Sequence, residues 1–309
     1  MKKRGFFYEL NKNKVLFIMI LPVLAYFTIF SYLPMVGVYY AFTQFDFNGG
    51  LFGSPFIGFK NFQFLFTGGK DAVIWVLTRN TILYNVAFIL IGNTLQIVTA
   101  IFLSELPGKV IKRTAQSIIF LPYFLSFVLI GVFVYNIFNF EYGLFNSMLK
   151  MFNRTPIDFY DMPGAWKYIL ITANVWKGIG YGTVVYLAAI MGIDRSMYEA
   201  ADIDGANVFQ KIKFITLPHL KPTFILLILF SLGSILKGQF DLFYQVIGNN
   251  GTLFPATDII DTYVYRALTV NFDIGLGTAA GLYQSFFGMM LILTVNAIIR
   301  KVNAEYALF

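Results

Sequence analysis

The chain has no cysteine, one histidine and few charges, and each shortage removes a class of function. Without thiols there are no disulfides and no thiolate metal sites, although this says little about compartment, since bacterial membrane proteins often lack both. His219 stands beside Pro218 with no companion at ligand or triad spacing, so neither a metal centre nor a nucleophilic triad is expected. A phosphate-cradling loop needs two glycines around four residues followed by Lys and Ser or Thr. Gly69-Lys70-Asp71 and Gly108-Lys109-Val110 both fail that pattern, so the chain carries no nucleotide-hydrolysing engine of its own. Long repeats and low-complexity linkers are also missing, and a single domain over residues 1–309 is expected.

What is present is apolar. Hydrophobic residues make up 58% of the chain and charged residues 13%, against roughly 25% charged in an ordinary soluble domain. With 36 Phe and 19 Tyr, a water-soluble fold has no way to hide this surface. About twenty apolar residues are needed per membrane crossing. Apolar runs near 16–42, 81–104, 117–138, 168–193, 218–236 and 276–299 predict an all-α membrane protein with six transmembrane helices. The first run is too long for a signal peptide and lacks a small-residue cleavage site, so it reads as a retained helix. Pro22 and Pro122 are expected to bend their spans locally.

Basic residues set the orientation. Lys2, Lys3, Arg4, Lys12 and Lys14 precede the first span, Lys109, Lys112 and Arg113 lie between the second and third, Arg195, Lys211, Lys213 and Lys221 flank the fourth connection, and Arg300 and Lys301 follow the sixth span. The opposite loops hold fewer cations and most of the carboxylates, including Asp46, Asp71, Glu141, Asp258 and Asp261. The positive-inside rule therefore puts both termini, residues 1–15 and residues 194–217 in the cytoplasm. The net charge of +7 is a topological bias spread over membrane flanks, with no groove-reading motif for nucleic acid. Three long outward loops, 43–80, 139–167 and 237–275, exceed what a turn requires. In the last, Ile260, Val264 and Leu268 predict one face of a short helix over 257–268.

Residues 194–217 form a polar, helix-forming segment lodged between two apolar runs. Ser196 with Glu199 three residues on reads as a capping box, Gly205 as a left-handed helix stop, and Asn207 as the cap of a second short helix through Lys213. Pro218 then falls near the first turn of the next span. Ala200 and Ala201 leave a smooth patch, next to Asp202, that another protein's surface can approach closely.

Glu199, Ala200, Ala201, Gly205, Ile215, Leu217 and Pro218 together resemble the EAA signature of permease subunits in binding-protein-dependent ABC importers. Residues 20–35, I-L-P-V-L-A-Y-F-T-I-F-S-Y-L-P-M, are similar to the first helix of the sugar-type, MalF/LplB-like branch. The resemblance implies a type I importer permease whose EAA helix docks on a cytoplasmic ABC ATPase dimer. It also implies a second homologous permease, an extracytoplasmic solute-binding protein of the lipoprotein kind, and a carbohydrate cargo. ATP and magnesium would sit on the partner ATPase, and this chain would bind no cofactor. The bacterial cell membrane is the implied location. The tail E-Y-A-L-F, residues 305–309, is either a second cytoplasmic contact or a loose terminus.

Polar groups in spans are expensive in lipid and mark the candidate path. Trp176 and Lys177 stand in N-V-W-K-G-I-G-Y-G, with Asn174 and Tyr181, although Lys177 is also placed to snorkel toward headgroups. Asn85, Asn93, Gln96, Gln239, Asp241, Tyr283 and Gln284 add hydrogen-bonding groups that serve equally as interhelical glue. Gly178, Gly180 and Gly182, and Gly277 with Gly281, read as packing devices. Two rival readings stay open: an ion-coupled secondary transporter, which should show paired broken helices and charged relays, and a receptor or scaffold that moves no solute.

Overall fold

The computed structural model describes residues 12–69 and 72–302. Lys2, Lys3, Arg4, Lys70, Asp71 and the tail at 305–309 lie outside the described residues. Among the described residues there is no strand, only one isolated antiparallel bridge between Thr43 and Phe56, so the all-helical expectation holds.

The first span runs from Lys14 to Phe42 as helix α1 (Lys14–Phe27), a π turn over Thr28–Tyr32 and a 3₁₀ stretch over Leu33–Phe42. The π turn has a local cause. Pro34 cannot donate to the carbonyl of Phe30 and its ring would clash there, so the preceding turn widens. The same arrangement recurs before Pro218, where Ile212–Thr216 is a π turn around Phe214.

Helix α2 (Val73–Glu105) is the spine. It feeds all three hydrophobic cores. Ile74 and Leu77 pack with Ala41, Ala279 and Ala280; Tyr84 and Phe88 with Trp166, Leu170 and Phe243; Ala100 and Leu103 with Tyr186, Leu187 and Leu220. Its main partner is α6 (Pro163–Met191). Gly180 lets α6 close on helix α3 (Lys109–Phe120), since a Cβ there would lie 2.5 Å from the Ile119 carbonyl oxygen.

The expected third span is not one locally bent helix. Helix α3 passes through a 3₁₀ turn at Leu121–Phe124, the chain extends at Leu125 and Ser126, and α4 (Phe127–Phe138) leaves at 94°. Ser126 starts α4 by accepting the Leu129 amide. Pro122 sits in the 3₁₀ turn, and the break falls after it because extended backbone at two successive residues ends the ladder altogether.

The fifth span also differs from expectation. A short helix does not stop near Lys213; α8 (Val208–Lys211) continues through the π turn into α9 (Leu217–Leu232), giving one 25-residue helix from Val208 to Leu232. Pro218 is therefore an interior residue tolerated by the π turn. The helix ends at Leu232, short of residue 236, and turns lead to α10 (Phe240–Ile247). Helix α11 (Ile260–Thr269) bears out the expected short helix, and α12 (Ile274–Val302) is the last span. Leu268 rests against Gly277, where a Cβ would come within 2.7 Å of its side chain, whereas Gly281 meets nothing within 4 Å. The close approach expected of the G-x-x-x-G pair thus belongs to Gly277 alone.

Among the described residues, four helices are long and apolar enough to cross a membrane, or five if the bent pair counts as one span. Helix α6 has the length, at 29 residues, but Asn174, Lys177 and its glycines dilute its apolar character.

Candidate coupling and translocation sites

The segment that reads as a docking element is α7 (Arg195–Ile203) with the turn into α8. Its first turn is capped by Asp194, whose carboxylate accepts the Ser196 amide at 2.9 Å. That backbone hydrogen bond holds the Asp194 carboxyl below its usual range. The Ser196–Glu199 capping box is thus corrected: an ionised side chain two residues upstream takes the donor, and Ser196 lies inside the helix. Gly205 does end α7, with φ +75°. The Ala206 amide reaches the Ala201 carbonyl at 2.9 Å and the Gly205 amide that of Asp202 at 3.1 Å, a Schellman closure. Asn207 and Gln210 then cap α8 reciprocally, at 2.7 and 3.0 Å.

Two side-chain ties lock this elbow to the membrane helix. Lys211 donates to Asp202 at 2.7 Å, and the Tyr198 hydroxyl meets the buried Thr216 hydroxyl at 2.9 Å. Glu199 and Ala200 stay exposed and Ala201 half-buried. Ile203 is 87% and Phe209 83% exposed on the same elbow, an apolar face unusual for an otherwise polar turn. Ile215 is half-buried and Leu217 and Pro218 exposed along the continuous helix. Sequence reasoning missed Asp194, Tyr198, Lys211 and Thr216; the signal was a Tyr and a Thr placed to meet only once the elbow folds back. His219 bonds the Ile215 carbonyl at 2.7 Å through Nδ1.

Four of the ten path candidates come together. Asn85, Asn93, Tyr181 and Gln239 line a cavity of about 270 Å³ between α2, α6 and α9, joined by Gln96, Ser231 and Ser234. The two serines were missed: Ser231 stands in the last turn of α9 and Ser234 in the turn that follows it. Much of the amide capacity is already committed: Asn85 donates to the carbonyls of Thr81, Ile235 and Lys237 at 2.9 to 3.1 Å, Gln96 donates to Gly178 at 3.2 Å, and Asn93 accepts from Tyr186 at 2.8 Å. Within the described residues the Tyr181 hydroxyl and the Gln239 amide make no hydrogen bond. Tyr181 also stacks on Tyr123 at 5.2 Å and 17°, presenting a ring beside the polar wall.

The other six candidates fall elsewhere. Trp176 faces a separate, almost wholly apolar cavity of about 680 Å³ between α4 and α6. Asn174 and Asp241 line neither cavity. Tyr283 is packed in the core with its hydroxyl 3.1 Å from Thr78. Gln284 donates to Leu236 and Asp261 at 2.6 and 3.0 Å. Lys177 donates to the carbonyls of Tyr123 and Leu125, with Phe127 and Tyr123 rings around its ammonium. It does not line the polar cavity.

Residues 92–304 match the family described as the binding-protein-dependent transport system inner membrane component. The chain is 30% identical to the polygalacturonan/rhamnogalacturonan transport system permease protein YteP of Bacillus subtilis, over 98% of this chain and 93% of that one. Protein LplB of Bacillus subtilis is 31% identical over 96% and 92% of the two chains. In a solved bacterial alginate ABC transporter, in complex with an alginate pentasaccharide-bound periplasmic protein, one chain aligns with a TM-score of 0.84 and 30% identity, over 97% of this chain and 98% of that one. The chain belongs to the binding-protein-dependent transport system inner membrane component family and is a multi-pass ABC importer permease.

Proposed function

We propose that this permease forms half of the path of an ATP-driven bacterial importer for an oligosaccharide or polysaccharide fragment. The polar cavity between α2, α6 and α9 carries the reading: hydroxyls and amides beside stacked Tyr123 and Tyr181 rings suit a solute whose hydroxyls want polar partners and whose C–H faces rest on aromatics. The polyuronide names of the relatives support a carbohydrate cargo. A second homologous permease completes the path, and an extracytoplasmic binding protein delivers the cargo. ATP and magnesium are bound by a separate ATPase dimer, which meets Glu199, Ala200, Ile203 and Phe209. Both termini and the elbow lie in the cytoplasm, with six crossings if α6 and the bent pair are counted as one each.

Closure of the ATPase dimer would move α7, and the Lys211–Asp202 and Tyr198–Thr216 ties pass that shift to the α8–α9 helix as a rigid body. ATP-dependent oligosaccharide uptake by the reconstituted complex tests the reading. Glu199→Lys or Gly205→Pro should leave insertion intact and abolish uptake per ATP hydrolysed. Uptake on an ion gradient without the ATPase, or none under any condition, would replace this function by a secondary transporter or a scaffold.

A further inference from the structure

A third, smaller cavity of about 240 Å³ opens between the first turns of α2 and α6, lined by Arg79, Lys167, Leu83 and Ile171 together with Asn80, Tyr84 and Ala256. Two cations on this end of the spans run against the charge bias of the whole chain. Neither has a carboxylate partner among the described residues, and Arg79 makes only a long, 3.5 Å contact to Asn80. The remaining polar wall is committed. Asn80 donates to the carbonyls of Asp258 and Pro255 at 3.0 and 3.4 Å, and Tyr84 to that of Ala256 at 2.9 Å.

The lining is graded along the helices. Leu83 lies four residues beyond Arg79 on α2, and Ile171 four beyond Lys167 on α6, so each cation is followed one turn deeper by an aliphatic side chain. The helices run parallel here, since Tyr84 and Phe88 pack with Trp166 and Leu170 while Ala100 and Leu103 pack with Tyr186 and Leu187. A cationic mouth over an apolar floor is the complement of an amphiphile with an anionic head.

We infer that Arg79 and Lys167 form a site for the phosphate of an anionic phospholipid whose acyl chain follows Leu83 and Ile171 toward the bilayer interior. The leaflet, though not the site, rests on the orientation proposed above, which makes it the outer one. Such a lipid would bridge α2 and α6 at the end opposite the elbow and neutralise two charges that membrane insertion otherwise leaves exposed.

Native mass spectrometry of the full-length chain, released from micelles doped with equal phosphatidylglycerol and phosphatidylcholine, reads the site directly. Two cations predict a preference for phosphatidylglycerol of about thirtyfold, from the attraction typical of one Lys or Arg near an anionic surface. Arg79→Gln with Lys167→Gln should bring the ratio near one, and Arg79→Lys with Lys167→Arg should keep it. Lys112→Gln, at the other end of the bundle, serves as the control. Equal retention of both lipids by the unaltered chain overturns the inference without recourse to any variant, as does a preference that survives the double Gln change. Displacement of phosphatidylglycerol by inorganic phosphate or by trigalacturonate would reassign the site to a soluble anion and overturn the lipid. The measurement uses neither ATP nor partner subunits, so its failure is distinct from a failure of sugar uptake.

Discussion

The ammonium of Lys177 lies 2.8 Å from the carbonyl oxygen of Tyr123 and also donates to that of Leu125, 52 residues away in sequence. These carbonyls sit at the break between α3 and α4, where extended backbone withdraws the amides that a continuous helix would offer. In a bilayer such irregular backbone is tolerated only when protein satisfies it. Lys177→Met should therefore cost about 1–3 kcal/mol, the penalty for acceptors left without a donor in lipid, while Lys177→Arg keeps the donors. Thermal unfolding in detergent checks this, and a stable Met variant would return Lys177 to the role of a snorkelling side chain.

Glycines in α6 are not equivalent. A Cβ at Gly180 would lie 2.5 Å from the Ile119 carbonyl oxygen and 2.6 Å from the Phe120 Cα, both backbone atoms that cannot rotate away. Gly180→Ala should force α6 off α3 at a cost of about 1–3 kcal/mol. At Gly178 nothing lies within 4 Å, so Gly178→Ala should instead gain roughly 0.5–1 kcal/mol in helix propensity. Opposite signs in paired melting curves are the expected result.

Tyr198→Phe removes one hydroxyl from the tie to Thr216 and leaves α7 otherwise intact. Losing such a bond costs about 0.5–1.5 kcal/mol locally, too little to unfold the bundle but enough to loosen the elbow. Uptake per ATP hydrolysed should fall while membrane insertion and ATPase binding persist. An unchanged ratio would mean that Lys211 and Asp202 transmit the motion unaided.

Local chemistry was legible in the sequence, and contacts between distant elements were not. Gly205 announces its left-handed turn because other residues pay a steric cost there, and Ile260, Val264 and Leu268 announce α11 through their period. The choice between Asp194 and Ser196 as cap was degenerate, since both types accept an amide well. The break at Leu125 and Ser126 was invisible: its stabilising partner is Lys177, on another helix, and apolar composition runs straight through it. The polar cavity required α2, α6 and α9 to be assembled before Ser231 and Ser234 could be seen to face Asn93. Pro218 was read as lying near the first turn of a new span, but it follows a π turn that keeps the helix continuous, as Pro34 does in the first span.

Asp261 provides a pH test of the turn between α9 and α10. Its Oδ2 accepts the Gly238 amide at 2.7 Å and the Gln284 amide at 3.0 Å, while Gln284 and Asn85 hold the carbonyls of Leu236, Ile235 and Lys237. Burial pushes the Asp261 carboxyl up, and the two amides and the Lys237 charge only partly oppose this. A folded-state pKa above the unfolded value of about 3.9 means that the native state binds the proton more tightly. Stability from this group is thus greatest below the unfolded pKa and declines as pH rises through the folded one. Asp261→Asn keeps an acceptor oxygen and removes the charge. The melting temperature of the variant minus that of the parent chain should therefore increase with pH across the acid range and level off above it. A difference that is flat with pH would show that the carboxylate is as well solvated in the fold as in the unfolded chain, and the three-residue wiring of this turn would then be neutral in charge rather than strained by it.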